Sequence, residues 1–356
     1  MKKVFVSGCY DILHGGHIEF FTQAKALGDY LIVCFADNKA LLMHKGRKSS
    51  LPTEHKKRLL ESLWMVNEVV VGECEEEGLD FKDQFLKIRP QILAVTEDDK
   101  YGEKKKALCA QIGTEYIVLA KTLSFQQIST SEILAFLRAP KEVALRVDFA
   151  GGWLDVPRLS IKGGFVVNCS IEPLVSLGNW IYETGAGLGG SAAYTILMGK
   201  DGVKSELDLG VGWQDPAVIK ETGLCVWESG PKPKLHLKRN PEMLRRKMAL
   251  LWTGGRHVTY ENVDLKRNYE LILGAGKIAA RAVLNESYVE LCEAIRLSYK
   301  AQLGEGMKEL SSFTELAKKY CGGGWGGYAL FMFRDEGERN EFLKRENTLK
   351  IEPFMA

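Results

Sequence analysis

Two histidines, His14 and His17, stand three residues apart with Gly15 and Gly16 between them, just after a short apolar run at 4–6 that stops at Ser7 and Gly8. If a helix opens here, the two imidazoles share one face of it. They can then donate hydrogen bonds to phosphate oxygens and to the charge that builds up when a phosphorus is attacked. The glycines let a phosphate approach without a Cβ in the way. The unpaired N–H groups and positive dipole end of a helix start favour an anion at the same place. This is transition-state stabilisation, not covalent chemistry. Two other readings remain open: a metal pair, for which no nearby Cys, Asp or Glu cluster completes a tetrahedral set, and a loop whose histidines are incidental.

A second set lies far downstream. Gly185-Ala-Gly-Leu-Gly-Gly-Ser-Ala-Ala193 is a glycine-rich turn that opens a helix near Ser191. Such a turn makes another nest of N–H groups for phosphate, with the Ser191 hydroxyl within reach of a magnesium ion. Around it in sequence stand Arg146-Val-Asp-Phe-Ala-Gly-Gly-Trp-Leu-Asp-Val-Pro157, Gly212-Trp-Gln-Asp-Pro216 and Cys321-Gly-Gly-Gly-Trp-Gly-Gly-Tyr328. A glycine loop alone says little, but four such motifs in this order say more.

The elements that must position these residues follow from periodicity. After the strand at 4–6, Ile18, Phe21, Ala24 and Leu27 recur at helical spacing until Gly28, and 30–35 reads as a second strand. Helices near 54–65, 81–87 and 103–111 then alternate with strands at 68–71, 92–95 and 116–119, and Ser129 or Thr130 caps a helix running to Leu137. The alternation predicts an α/β, doubly wound parallel sheet, in which ligands gather at the carboxyl ends of the strands. Lys45 falls in what reads as a polar loop. Leu137-Arg-Ala-Pro-Lys141 changes the pattern, so the expected domains are 1–138 and 139–356.

A chain of 356 residues with 46% hydrophobic content has room for two cores. A net charge of +2 gives no reason to expect a nucleic-acid or membrane surface. No apolar run is long enough to span a bilayer and a strand begins at once, so a cytoplasmic protein is expected. The eight cysteines show no C-x-x-C pairing and suit reduced thiols.

The stretch around His14-Gly-Gly-His17 resembles the opening of the cytidylyltransferase-like nucleotidyltransferases, whose mark is H-x-G-H after a first strand, as in the glycerol-3-phosphate cytidylyltransferases and heptose-1-phosphate nucleotidyltransferases. The resemblance implies a Rossmann-like fold, ATP or CTP as substrate, and His14, His17 and Lys45 as catalytic residues. It implies nucleotide contacts from Ser7, Gly8, Cys9, Tyr10, Asp11, Gly16 and Asp98. In the family a basic residue of the next helix touches the triphosphate; Lys56 matches it, with Arg58 competing. Gln127-Ile-Ser129-Thr130-Ser131 looks like the family's phosphate-binding helix start, although Ser124 stands where the cytidylyltransferases have arginine and Gln127 where they have glycine. The heptose-type relatives lack that arginine too, which points to a sugar phosphate acceptor.

The downstream motifs resemble the GHMP small-molecule kinases, and within them the sugar branch of L-fucokinase and heptose 7-phosphate kinase. This implies an α+β fold. It implies Gly187, Leu188, Gly189, Gly190, Ser191 and Ala192 around the ATP phosphates and Asp215 as base or charge partner of the sugar hydroxyl. Arg146, Trp153, Asp155 and Gly324 would build the sugar pocket, Asp155 otherwise serving as a turn residue. The interval between Ser191 and Asp215 is short for that family and omits the usual magnesium-sharing glutamate. Glu206 with Ser191 holds the Mg2+ in its place, or Ser191 and Asp215 hold it alone, or the activity is lost. A kinase that makes a sugar 1-phosphate fused to a transferase that consumes one predicts a bifunctional sugar-activating enzyme, paired as a homodimer like similar nucleotidyltransferases. A nucleotidyltransferase with a non-catalytic sugar-binding module is the alternative.

Overall fold

A computed structural model describes residues 1–121, 127–256 and 262–356, and the chain divides into two compact units, Met1–Leu134 and Ala135–Ala356. In the first unit the elements run β1 (Lys3–Gly8), α1 (Gly15–Ala26), β2 (Tyr30–Ala36), α2 (Asn38–Lys45), α3 (Thr53–Glu61), β3 (Glu68–Gly72), α4 (Lys82–Ile88), β4 (Ile92–Thr96), α5 (Gly102–Ile112) and β5 (Glu115–Leu119), with α6 (Thr130–Leu137) straddling the division. The strands form one sheet in the order β3-β2-β1-β4-β5, and every pairing is parallel.

The strand side chains explain the layers. Val4 and Val6 of β1 point to the face covered by Phe21 and Ala24 of α1, while Phe5 points to the other face, against Phe81 and against Phe85 and Leu108 of α4 and α5. A run buried on both faces is what a doubly wound parallel sheet requires. Phe5 meets Phe81 and Phe85 at centroid distances of 5.7 and 5.4 Å. The chain reverses direction of winding between β1 and β4, and a crevice opens at the carboxyl ends of those two strands. One element differs from expectation. Lys45 is not in a loop: Asp37 caps a helix by accepting from the Ala40 N–H (2.7 Å), and Lys45 is its last residue before Gly46 turns left-handed.

The second unit runs β6 (Val143–Ala150), β7 (Phe165–Val175), α7 (Gly190–Leu197), α8 (Gly202–Asp208), α9 (Gln214–Glu221), β8 (Leu224–Glu228), β9 (Leu235–Arg239), β10 (Met248–Trp252), α10 (Tyr269–Leu284), α11 (Tyr288–Gly304), β11 (Ala317–Tyr320), β12 (Tyr328–Met332), α12 (Glu336–Phe342), β13 (Thr348–Lys350) and β14 (Glu352–Pro353). Two antiparallel sheets result, one ordered β14-β7-β8-β9 with β6 on β7, the other β11-β12-β10-β13. One apolar core joins them. Leu145, Val147 and Phe149 of β6 share it with Ala275 and Ala279 of α10, Leu291 and Ile295 of α11, and Leu330 and Met332 of β12. Gly276 lets α10 lie close to the sheet: a Cβ there would stand 2.3 Å from the Phe165 carbonyl oxygen of β7.

Candidate active sites

In the first unit β1 delivers Ser7 and Gly8 to a cavity of about 620 Å3, the loop that follows carries Cys9, Tyr10 and His14 into its wall, and the first turn of α1 adds His17. His14 takes the N-cap position of α1 with extended backbone and makes no side-chain cap, which leaves its ring directed elsewhere. The two imidazoles lie against each other, with centroids 3.9 Å apart and planes tilted by 31°, and Tyr10 meets His17 edge-on at 5.2 Å. Gly8 is necessary here, because a Cβ would stand 2.8 Å from the Tyr10 ring.

Burial pushes the His17 imidazole down to about 4, with His14 and Lys121 adding to the effect, and burial followed by Lys121 lowers His14 as well. Both rings are therefore neutral at pH 7. The Nδ1 atom of each is buried without a hydrogen-bond partner. Such groups are expensive to leave unpaired, and an arriving polyphosphate would favour the protonated form of both rings. Among the described residues no group of three His, Cys, Asp or Glu side chains is arranged to hold a metal ion.

The structure brings together Ser7, Gly8, Cys9, Tyr10, His14, Gly16, His17, Lys45, Asp98, Ser129, Thr130 and Ser131 on this cavity. Several of these groups are already engaged. Asp98 accepts from Thr96 Oγ1 (2.6 Å) and Lys121 Nζ (2.5 Å); although burial opposes it, these bonds hold its carboxyl below the usual range. Ser129 donates its N–H and hydroxyl to Glu132 (2.7 and 2.8 Å) in a capping box, and Thr130 Oγ1 donates to the Ile12 carbonyl (3.1 Å).

Two expected nucleotide contacts stand behind the wall instead. Asp11 is fully buried and accepts from Arg47, from Ser49 Oγ and from Ser50 N–H and Oγ, bonds that hold its carboxyl at about 2 against the opposing effect of burial. It anchors the 47–50 loop. Lys56 is buried too. It donates to the carbonyls of Cys9 (3.3 Å) and Ala36 (3.0 Å) and lies over the Phe35 ring, so it fixes the backbone that carries Cys9. Arg58 is exposed and also off the cavity. Ser124 lies outside the described residues.

In the second unit a cavity of about 640 Å3 is lined by Arg146, Trp153, Asp155, Gly187, Gly189, Gly190, Ser191, Glu206 and Asp215. Leu188 and Ala192 of the glycine turn are buried in the core behind it. Gly324 packs on Met307, while its neighbours Gly322 and Gly323 do line the space.

Arg146 organises this site. Its Nε and Nη2 donate to the two oxygens of Asp215 (2.6 and 2.8 Å), and its Nη1 donates to the Gly187 carbonyl (2.6 Å) and approaches Asp148 (3.5 Å). Asp148 is itself paired with the buried Lys319 and accepts from the Gly322 N–H (2.7 Å). Asp215 is thus half of a bidentate ion pair, which suits a charge partner more than a freely moving base. The Ser191 hydroxyl donates to Glu206 (2.6 Å), so the two expected magnesium ligands do meet.

The pattern of charge supports a cation at that point. Burial, followed by the charge of Asp215, raises the Glu206 carboxyl to about 7, and burial likewise raises Asp155 to about 7. A magnesium ion is commonly held by one or two carboxylates together with substrate phosphates and water. Ser191 and Glu206 fit that donor set, and the ion would supply charge neutralisation on the phosphates.

Three residues absent from the sequence-based expectation complete the site. Trp227 Nε1 donates to Asn168 Oδ1 (2.9 Å), Asn168 Nδ2 reaches Gln214 Oε1 (3.5 Å), and Gln214 donates its Nε2 (3.3 Å) and its N–H (3.2 Å) to Asp155. An indole can only donate, so it sets the orientation of both amides and turns Gln214's donors toward Asp155. Gly212 makes room: a Cβ there would fall 1.7 Å from Asp155 Oδ2.

A model of the cytidylyltransferase-like family matches residues 5–135. The chain is 38% identical over 104 residues to the FAD synthase of Ferroglobus placidus, covering 29% of this chain and 64% of that one, so it spans just under two thirds of that relative. It is 31% identical over 135 residues to the FAD synthase of Pyrococcus horikoshii, covering 37% of this chain and 89% of that one. Among solved structures, a mevalonate kinase is similar over 60% of this chain and 99% of its own, at 13% identity and a TM-score of 0.47. Through its first 135 residues the chain belongs to the cytidylyltransferase-like family.

Proposed function

We propose that the chain activates a sugar in two steps, with a kinase in 139–356 and a nucleotidyltransferase in 1–138. In the first, the anomeric hydroxyl attacks the γ-phosphorus of ATP; the new O–P bond forms as the bond to the β-phosphate oxygen breaks, ADP leaves, and the proton passes to solvent. In the second, the phosphate oxygen of the sugar 1-phosphate attacks the α-phosphorus of a nucleoside triphosphate and pyrophosphate leaves. The observation that carries the reading is the close, neutral pair His14 and His17, with ring centroids 3.9 Å apart, at the start of α1 beside the carboxyl end of β1. There they would meet the charge that grows on the α-phosphate oxygens, with Lys45 on the rest of the triphosphate.

For the nucleotide, the shared name of the relatives, FAD synthase, favours transfer of an adenylyl group and hence ATP over CTP. In the second unit, Arg146 and the glycine turn would fix the ATP phosphates and Asp215 relative to one another, and Asp155 would accept from a sugar hydroxyl. No helix among the described residues is long and apolar enough to cross a membrane, which fits small-molecule chemistry in the cytoplasm; a homodimer is part of the same reading. The alternative, a non-catalytic sugar-binding second unit, draws support from the Ser191 hydroxyl being held by Glu206.

The test is incubation of the intact chain with Mg2+, candidate sugars, and ATP or CTP, following ADP and pyrophosphate separately, with FMN as a control acceptor. Pyrophosphate from a sugar 1-phosphate supports the transferase step; release with FMN alone replaces its acceptor. ADP formation lost in Asp215→Ala supports the kinase step, and its absence with every sugar leaves the binding-module reading.

A further inference from the structure

The second unit's cavity carries a charge pattern that selects among acceptors. Four carboxylates line it, Asp155, Glu183, Glu206 and Asp215, against two arginines, Arg146 and Arg256; among the described residues no lysine or histidine lines it. Arg146 and Asp215 neutralise each other in their bidentate pair, and the remaining Arg146 donor lies on Gly187 and near Asp148, which leaves Asp155, Glu183 and Glu206 against Arg256. Two indoles, Trp153 and Trp180, add flat apolar faces, and Trp153 is held in place by the Arg267 guanidinium stacked 3.8 Å above it.

Carboxylates accept hydrogen bonds from hydroxyls, and indole faces pack against the C–H face of a sugar ring. A sugar's own phosphate dianion placed beside Asp155 or Glu183 meets like charge, whereas the ATP phosphates would lie on the N–H groups of the glycine turn with Mg2+. The first unit's cavity is more evenly balanced: Lys45, Lys100, Lys105 and Lys121 share its wall with Glu19, Asp98, Asp99 and Glu132, and Lys105 and Lys121 pair with Asp99 and Asp98. Resting on the kinase reading above, we infer that the second unit's cavity takes an uncharged polyol, an unphosphorylated aldose, and discriminates against sugar phosphates. The phosphate that the product carries is then the first one the sugar receives.

Titration calorimetry on the intact chain decides this, using matched pairs: mannose and mannose 6-phosphate, and a manno-heptose with its 7-phosphate. Each is run on wild type, on Asp155→Ala and Asp155→Asn to identify binding at this cavity, and on the rim variant Glu183→Lys. Expected are parent sugars whose binding is lost in the Asp155 variants, phosphorylated partners at least ~10-fold weaker at this cavity, and a gap that narrows several-fold in Glu183→Lys. A phosphorylated partner that binds this cavity as tightly as its parent overturns the inference, and so does failure of every parent sugar to bind. ADP formation is read in parallel and reports on the kinase step alone: parent binding without ADP leaves the inference standing and removes the catalysis.

Discussion

The two cavities are nearly equal in volume, about 620 and 640 Å3, yet they hold opposite charge problems. In the first, burial strips protons from imidazoles: His17 sits at about 4 and His14 is lowered. In the second, burial adds protons to carboxylates, with Asp155 and Glu206 at about 7. The same desolvation thus prepares one site for an incoming anion and the other for an incoming cation or a set of hydroxyls. A polar group's burial is informative only together with the sign of what would relieve it.

The comparison is broken most severely by removing the second site's central cation. Arg146→Ala leaves Asp148 and Asp215 without their shared partner and is expected to destabilise the second unit by about 3–5 kcal/mol, measured by chemical denaturation, and to abolish ADP formation. Pyrophosphate release from a supplied sugar 1-phosphate should survive; its loss would show that the units are not separable. Next, His14→Ala or His17→Ala should lower pyrophosphate release by roughly 100- to 1,000-fold while leaving ADP formation intact.

Acidity sharpens the contrast through opposite signs. The folded first unit refuses a proton on His17 that the unfolded chain binds between pH 4 and 6.5, so its stability rises with pH across that window. The folded second unit keeps protons on Asp155 and Glu206 that the unfolded chain releases above about pH 4, so their contribution to stability falls as pH climbs to about 7. Scanning calorimetry at pH 5 and pH 7 should move two thermal transitions in opposite directions, with His17→Ala and Asp155→Asn assigning them; parallel movement would refute the contrast. The smallest effect is at Ser129. Its hydroxyl serves the capping box, so Ser129→Ala should cost about 1 kcal/mol of stability and change the KM for the triphosphate little.

Much of the first unit was legible because its strands are short apolar runs bounded by glycine and its helices carry regular apolar spacing; β1, α1 and β2 follow from that alone. His14, His17 and their glycines were legible as types at a spacing. Lys45 was misread as a loop residue because it opens the polar run 45–50, while the Asp37 cap and Gly46 stop make it the last residue of the helix Asn38–Lys45. Lys56 and Asp11 were misplaced for a related reason: charged residues are expected at surfaces, and only the tertiary fold supplies the carbonyls and hydroxyls that let them be buried. The Trp227, Asn168 and Gln214 chain was illegible in principle. Its members come from β8, β7 and α9, and only pairing of those elements aligns their donors and acceptors.

The guanidinium of Arg146 has a mechanical meaning beyond its charge. It fastens the carbonyl of Gly187, in the turn ahead of α7, to the carboxylate of Asp215, at the head of α9, and its own backbone N–H holds the Leu188 carbonyl. Three segments distant in sequence are therefore riveted together by one side chain, and parting the turn from the carboxylate requires breaking its bonds.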